Sequence, residues 1–138
     1  MNRKPKLISL ILNALLIATI LFVSPAHSAT PSPVARDEIA SLLMRLKASG
    51  CQFKRNGAWH SADEAQVHLQ RKLDYLQNRG AVATAEQFIE RAATKSSVTG
   101  QAYLVKCGNK PPVQTGTWFF AELDALRATS RTPADAPR

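Results

Sequence analysis

The chain has 138 residues, of which 45% are hydrophobic and 7% aromatic, and it carries 18 Lys and Arg against 10 Asp and Glu. This composition is typical of one small folded domain and excludes a disordered or repetitive chain. No motif in the sequence identifies an activity, but the composition changes sharply near the N-terminus, and that change indicates a compartment.

The first 28 residues have the three parts of a secretory signal peptide. Basic residues lie within the first six positions, the stretch 7–23 carries no charge, and the small residues Ala26 and Ser28 fit cleavage before Ala29. An uncleaved anchor is the alternative, because 7–23 is near the shortest stretch that spans a bilayer. We expect a periplasmic protein. Cleavage removes three of the 18 basic residues and no acidic one, which leaves a net charge of +5.

Two cysteines, Cys51 and Cys107, lie beyond this segment. An even pair in an oxidising compartment indicates one disulfide bond. Zinc sites place cysteines in close pairs, whereas these two are far apart and neither belongs to a CxxC motif. We therefore expect a structural disulfide. A loop of this length gives about 4 kcal/mol of stabilisation in the chain-entropy model.

The first predicted elements are a helix and a hairpin. Apolar residues recur at helical spacing over 39–46, and Gly50 follows as a stop. The segment 51–60 contains two short β-prone runs on either side of Asn56 and Gly57. That dipeptide is typical of a two-residue hairpin turn, so the segment predicts two antiparallel strands.

Two more helices are predicted from their caps. Ser61 and Glu64 match a capping box, which opens a second helix that runs to about Arg79. Thr84 opens a shorter third helix, and the segment 96–100 ends it as a turn.

One strand and one helix complete the prediction. The run 103–107 is rich in β-forming residues and predicts a strand. Pro111 and Pro112 then favour a loop, and Thr115 or a nearby threonine can cap a last helix. The polar, proline-containing tail 129–138 is expected to be unstructured.

Together these elements predict an α+β fold, with about four helices packed on one face of a small antiparallel sheet made of the hairpin plus one strand. A disulfide between Cys51 and Cys107 would place the strand beside the hairpin. We expect a single monomeric domain over 36–128, preceded by a flexible leader over 29–35.

A set of short motifs along this domain resembles a known family. The motifs, in order, are Ser49-Gly50-Cys51-Gln52-Phe53, Arg55-Asn56-Gly57, Ala65 with His68-Leu69 and Lys72, Thr84-Ala85-Glu86-Gln87-Phe88-Ile89, Lys95-Ser96-Ser97, Gly100 with Tyr103, Cys107 and Trp118. They are similar to the YfeK-like family of small proteobacterial periplasmic proteins, a domain of unknown function. The resemblance covers 38–127 and implies export and a single domain. It implies no activity and no catalytic residue, and Trp59 stands where such sequences often have Tyr.

Four residues form the predicted binding surface. Lys54 and Arg55 lie at the hairpin tip, where a rigid scaffold presents a loop, and His68 and Lys72 lie along one edge of the second helix. Lys72 falls beside the apolar stripe, so its ammonium must reach water, find a carboxylate or serve a ligand. A structural ion pair with Glu122 or Glu90 is one expectation.

Other site chemistries have weaker support in the sequence. His60, Glu64 and His68 could form a metal set, but His60 precedes the helix cap and does not share the helical face. Ser96 or Ser97 could be combined with His68 and with Asp63 or Asp74 in a triad, but no nucleophile motif surrounds these serines. We therefore expect no catalytic residue, metal or cofactor.

The function expected from the sequence is a non-catalytic binding or interaction module of the cell envelope. Its partner would be an envelope protein or an anionic envelope component, because the charge is positive. The basic residues are scattered and lack aromatic stacking partners, so nucleic acid is not expected. The alternative is a small hydrolase or metal-dependent enzyme that uses His68, which would require the candidate side chains to converge on one pocket.

Overall fold

The computed structural model describes residues 30–131. The predicted signal peptide and most of the predicted tail lie outside these residues. The elements in chain order are α1 (Pro33–Ala48), β1 (Gln52–Arg55), β2 (Ala58–His60), α2 (Ala62–Gln77), α3 (Ala85–Phe88) with a π-helical continuation (Ile89–Ala93), β3 (Leu104–Lys106), β4 (Val113–Gln114) and α4 (Thr115–Arg131). The strands form one antiparallel sheet in the order β2-β1-β3-β4. No helix within 30–131 is both long and apolar enough to cross a membrane.

The first and last helices extend beyond their predicted limits. α1 begins at Pro33, inside the expected leader, because the Ser32 hydroxyl caps it by accepting a hydrogen bond from the Ala35 amide at 3.1 Å. Proline suits the first helical turn, where its missing N–H has no partner to lose. α4 continues to Arg131, and in its last turn the hydroxyl of Ser130 donates a hydrogen bond to the carbonyl of Leu126 at 3.0 Å.

The predicted hairpin and disulfide are confirmed. Asn56 and Gly57 have φ values of 48° and 85°, which the two-residue turn between β1 and β2 requires. The Cys51–Cys107 bond joins residues that are 56 positions apart in sequence and flank the paired strands β1 and β3. The disulfide therefore ties the hairpin to a strand from the second half of the domain.

A fourth strand, β4, was not predicted. Val113 and Gln114 pair with β3 at the edge of the sheet, directly after Pro111 and Pro112. Prolines cannot donate to a ladder, so they limit this strand to two residues. β4 runs directly into α4, and it therefore fixes where the last helix starts.

The core lies between the sheet and the four helices. Its largest fully buried side chains include Leu42, Phe88, Phe119 and Leu123. Phe88 and Phe119 meet edge to face with their ring centres 6.1 Å apart, which joins α3 to α4. The inner face of the sheet contributes Phe53 and other buried residues to the same cluster.

The end of the third helix fixes the segment that leads into β3. The backbone of Thr94 accepts a hydrogen bond from the Tyr103 amide at 2.8 Å, and Lys95 pairs with Ala102 in an isolated antiparallel bridge. A Cβ on Gly116 would lie 2.6 Å from Thr94 Cγ2, so only glycine allows α4 to approach here. These contacts bring the carbonyl of Lys95 and the ring of Tyr103 to the side of α2.

Arg127 links three helices on the far side of the core. Its guanidinium bonds both carboxylate oxygens of Glu38 at 2.7 and 2.9 Å, and one oxygen of Glu86 at 2.6 Å. The hydrogen bond from Arg127 is the main reason that the pKa of Glu86 lies below its usual value. This cluster connects α1, α3 and α4, and it was not predicted.

Candidate functional site

The predicted binding surface divides between the two faces of the sheet. Successive residues of a strand point to opposite faces, so Lys54 and Arg55 separate. Arg55 shares the inner face with Phe53 and lines a cavity beside His68. Lys54 pairs with Trp59 on the outer face. The structure therefore brings Arg55, His68 and Lys72 together but leaves Lys54 on the opposite side.

His68 and Lys72 lie one helical turn apart on the edge of α2 that faces β3. The capping box between Ser61 and Glu64 fixes the start of this helix, with the Ser61 amide 2.8 Å from a Glu64 carboxylate oxygen. Leu69 is buried on the same helix. This anchored face sets the rotation of α2 and so directs the two polar side chains toward the sheet.

Tyr103 is the centre of the site. Its hydroxyl oxygen lies 3.2 Å from His68 Nε2 and 3.5 Å from Lys72 Nζ. The Lys72 ammonium also lies 5.1 Å from the centre of the Tyr103 ring and donates to the Lys95 carbonyl at 3.0 Å. We call Arg55, His68, Lys72 and Tyr103 the Tyr103 cluster.

The chemistry of the groups assigns the direction of these hydrogen bonds. A lysine ammonium can only donate, so the Tyr103 oxygen accepts from Lys72. The Tyr103 O–H is then free to donate to Nε2 of a neutral His68. Burial, followed by the charges of Arg55, Lys72 and Arg71, lowers the pKa of His68 to about 4. His68 is therefore neutral at pH 7, as the assignment requires.

The Tyr103 cluster is positively charged and partly removed from water. Desolvation, followed by the charge of Arg55, lowers the pKa of Lys72 to about 8. Burial raises the pKa of the Tyr103 hydroxyl. Glu64 lines the same cavity as Arg55 and His68, but its carboxylate is held in the capping box. The backbone hydrogen bond from Ser61 is the main cause of its lowered pKa, and the charges of His60 and Arg55 add to it. Among residues 30–131, neither Arg55 nor Lys72 forms an ion pair.

His68 separates two hollows. A cavity of about 30 Å³ lies on one side and is lined by Phe53, Arg55, Tyr103 and Thr115, among others. Thr115 is only 2% exposed, and its hydroxyl has no hydrogen-bond partner in the described structure. A more open hollow of about 190 Å³ lies on the other side and is lined by Arg71, Lys72, Tyr75 and Ser97.

The described residues do not have the geometry that the metal and triad hypotheses require. His60 Nδ1 and Glu64 Oε2 are 4.0 Å apart, but the part of the chain that the structure describes places no three His, Cys, Asp or Glu side chains where they could hold a metal ion. Ser96 is buried, and its hydroxyl accepts hydrogen bonds from the amides of Val98 and Thr99 as a turn. Ser97 lines the open hollow, but within 30–131 it forms no hydrogen bond with His68 or Lys72.

The expected ion pair between Lys72 and Glu122 is wrong. Glu122 accepts a hydrogen bond from Arg45 at 2.8 Å, which joins α4 to α1. Lys72 instead bonds the Lys95 carbonyl and the Tyr103 hydroxyl. The error arose because helical periodicity shows which face is half-buried but not which helix lies opposite.

Two residues of the site, Tyr103 and Thr115, were not predicted from the sequence to be site residues. Alternation offered a signal for the first: Tyr103 and Val105 are two residues apart in the predicted strand 103–107, so an inward Val105 implies an inward Tyr103, and both residues are buried. Thr115 offered no such signal, because its burial depends on the unpredicted strand β4.

Comparisons with known proteins agree with the resemblance noted from the motifs. The model of a family of unknown function, DUF5329, matches residues 33–127. The chain is also 49% identical over 51 residues to the uncharacterised protein YfeK of Salmonella typhimurium strain LT2, a match that covers 37% of this chain and 41% of that protein. The match thus spans about two fifths of the relative's length. No solved structure matches the chain. Because the family model covers most of the described domain, the chain belongs to the DUF5329 family of unknown function, as a YfeK-like protein.

Proposed function

We propose that this protein is a non-catalytic binding module of the cell envelope, and that its Tyr103 cluster binds an anionic group, either a carboxylate or a phosphate. The observation that carries the proposal is the half-buried ammonium of Lys72, which has no acidic partner within residues 30–131 and whose pKa is lowered further by the charge of Arg55.

A partly desolvated positive charge destabilises a fold unless something compensates it. Here the compensation from the protein is limited to one carbonyl, one hydroxyl and the face of one aromatic ring. An anion beside Lys72 and Arg55 would add charge-assisted hydrogen bonds and favour the protonated lysine. The cluster therefore has the electrostatics of a ligand-free anion site.

The chemistry of the cluster favours binding over catalysis. A histidine with a pKa of about 4 is a weak general base at neutral pH, and its Nε2 already accepts a hydrogen bond from the Tyr103 hydroxyl in the assigned network. No serine within 30–131 lies in hydrogen-bond contact with His68. At pH 7 the Lys72 ammonium, with a pKa of about 8, is mostly protonated, and it donates to the Tyr103 hydroxyl and to the Lys95 carbonyl, as an anion-binding group does.

A role in the periplasm is part of the proposal. The signal peptide predicted from residues 1–28 and a disulfide bond are both typical of exported proteins. Carboxylates and phosphates are the charged groups that envelope polymers and lipids present, and a net charge of +5 after cleavage would favour them.

The test is a titration of protein purified from the periplasm with sodium phosphate and, separately, with sodium acetate at constant ionic strength. Binding is measured from the NMR signals of the His68 ring and the Lys72 ammonium group. The variants are Lys72→Met and Arg55→Gln, and the control is Lys47→Gln, an exposed lysine whose 3.7 Å pair with Asp63 contributes little.

We expect one of the two anions to bind saturably to the wild type and to the control, and at least about tenfold more weakly to both site variants. The stronger anion identifies the ligand class. Equal responses of all four proteins to both salts would show general screening of charge, and the proposal would be wrong.

A further inference from the structure

The outer face of the sheet is distinct from the Tyr103 cluster and carries its own arrangement of side chains. The strand register places six residues on this outer face, namely Gln52, Lys54, Trp59, Leu104, Lys106 and Gln114. None of the six is acidic, and none is buried, whereas Phe53 and Val105 on the opposite face are buried in the core. The helices of the described chain therefore lie on the other side.

Trp59 lies near two lysines on this face. Its side chain is exposed, with 39% of the residue accessible, and the ammonium groups of Lys54 and Lys106 lie 5.8 and 5.4 Å from the ring centre. The two lysines belong to different strands, β1 and β3, and both reach the ring of the β2 residue. An exposed indole thus lies close to two positive charges that form no ion pair within 30–131.

We infer that the outer face is a second binding surface, and that its ligand is an acidic polysaccharide whose sugars carry carboxylates. A sugar ring can lie flat on the indole, which offers a large apolar area with little loss of side-chain freedom. The carboxylate of that sugar is then within reach of Lys54 or Lys106, and the side-chain amides of Gln52 and Gln114 can bond its hydroxyls.

Two other polyanionic partners fit this face less well. Single-stranded nucleic acid binds through successive aromatic platforms, and the outer face has one aromatic residue. A lipid surface requires a broad apolar area to insert, and here only Trp59 and the half-buried Leu104 are apolar. One indole with two flanking ammonium groups and two amides matches a single acidic sugar unit.

The experiment measures binding of the full chain to oligogalacturonate by calorimetry at 0.15 M salt. Maltooligosaccharide of equal length tests the sugar without charge, and polyglutamate tests carboxylates without sugar. The variants are Trp59→Ala and the double variant Lys54→Gln with Lys106→Gln, and the matched control is Lys47→Gln. Thermal unfolding of each variant verifies that it folds, and none of the substituted positions is buried.

We expect the wild type and Lys47→Gln to bind oligogalacturonate, and Trp59→Ala to bind it about tenfold more weakly, as loss of one stacking platform predicts. The double lysine variant should lose both affinity and salt dependence. Lys72→Met should bind oligogalacturonate as tightly as the wild type does, because Lys72 is not on the outer face. The two proposals can therefore fail independently of each other.

Three results would overturn the inference. The first is unchanged binding in Trp59→Ala, which would reduce the surface to charge alone. The second is polyglutamate that binds as tightly as oligogalacturonate. The third is tighter binding to single-stranded DNA or to anionic phosphatidylglycerol vesicles, which would assign the face to a different class of partner.

Discussion

Lys72→Met separates the stability of the domain from its proposed binding function. Methionine keeps most of the apolar stem of lysine but removes the charge. The wild type must hold a half-buried ammonium beside Arg55, whereas the variant need not. We therefore expect the variant to be at least as stable as the wild type at pH 7 and to lose its response to anions, an exchange of stability for function.

The pKa of Lys72 sets the expected size of this effect. A pKa lowered from 10.5 to about 8 corresponds to a ceiling of about 3 kcal/mol of destabilisation at neutral pH. The side chain is only half-buried, so solvent screening reduces the effect to about 1–2 kcal/mol. The variant also loses the bond to the Lys95 carbonyl, which costs roughly 0.5–1 kcal/mol. The expected net gain is about 0.5–1 kcal/mol.

The pH dependence has a definite sign. Between the folded pKa of about 8 and the higher unfolded value, the unfolded chain binds more protons than the folded one at Lys72, so wild-type stability rises with pH relative to the variant. The advantage of Lys72→Met should therefore be full below pH 8 and disappear by about pH 10.5. For the same reason, anion affinity of the wild type should fall as pH rises through about 8.

Urea unfolding of both proteins from pH 6 to pH 10.5, with and without phosphate or acetate, measures these differences. A variant that is more than about 1 kcal/mol less stable than the wild type at pH 7 would contradict the reasoning, because Lys72 would then be a structural donor whose bonds outweigh its desolvation. A stability difference that does not change between pH 8 and pH 10.5 would refute the assigned shift in pKa.

Three further predictions concern the fold. Replacing Cys51 and Cys107 together by serine should cost about 4 kcal/mol in denaturant titrations, because the bond closes a loop across 56 positions; a loss below 1 kcal/mol would exclude a large contribution from loop closure. Gly116→Ala should cost roughly 1–3 kcal/mol by overpacking against Thr94, and Thr94→Ser in the same chain should recover part of the loss, which an unrelated backbone defect would not allow. Arg127→Met should lower the free energy of unfolding by roughly 2–3 kcal/mol, because two carboxylates lose their charge-assisted bonds; thermal melts equal to those of the wild type would contradict this.

The elements that were predicted correctly are those specified by neighbouring residues. The hairpin turn depends on the conformations open to Asn56 and Gly57 themselves. The start of α2 depends on Ser61 and Glu64, which are three residues apart and bond each other's amides. Such signals act over a few residues, so they hold whatever the rest of the chain does. The disulfide was predicted for a different reason: only two cysteines are present.

The features that were missed depend on residues distant in sequence. β4 is two residues long and exists because β3 offers it a free edge. Arg127 and Glu38 are 89 positions apart in sequence, and the residues around each of them do not indicate that the two side chains form a pair. The limits of α1 and α4 were placed too far inside the helices, because prolines and hydroxyl residues that favour loops are also tolerated at helix ends.

The mistaken ion pair of Lys72 explains how the candidate site arises. Periodicity correctly placed both Lys72 and Glu122 beside apolar stripes, since Lys72 is half-buried and the Glu122 side chain is 29% exposed. α1 packs against both of the other long helices, α2 and α4. Its Arg45 forms the ion pair with Glu122, the carboxylate of α4 that was expected to pair with Lys72. Lys72 instead donates hydrogen bonds to the Tyr103 hydroxyl and the Lys95 carbonyl, which are both uncharged. Because Glu122 pairs with Arg45, it does not neutralise Lys72 in a structural ion pair. The positive charge of Lys72 is therefore available to an anion that binds from solution.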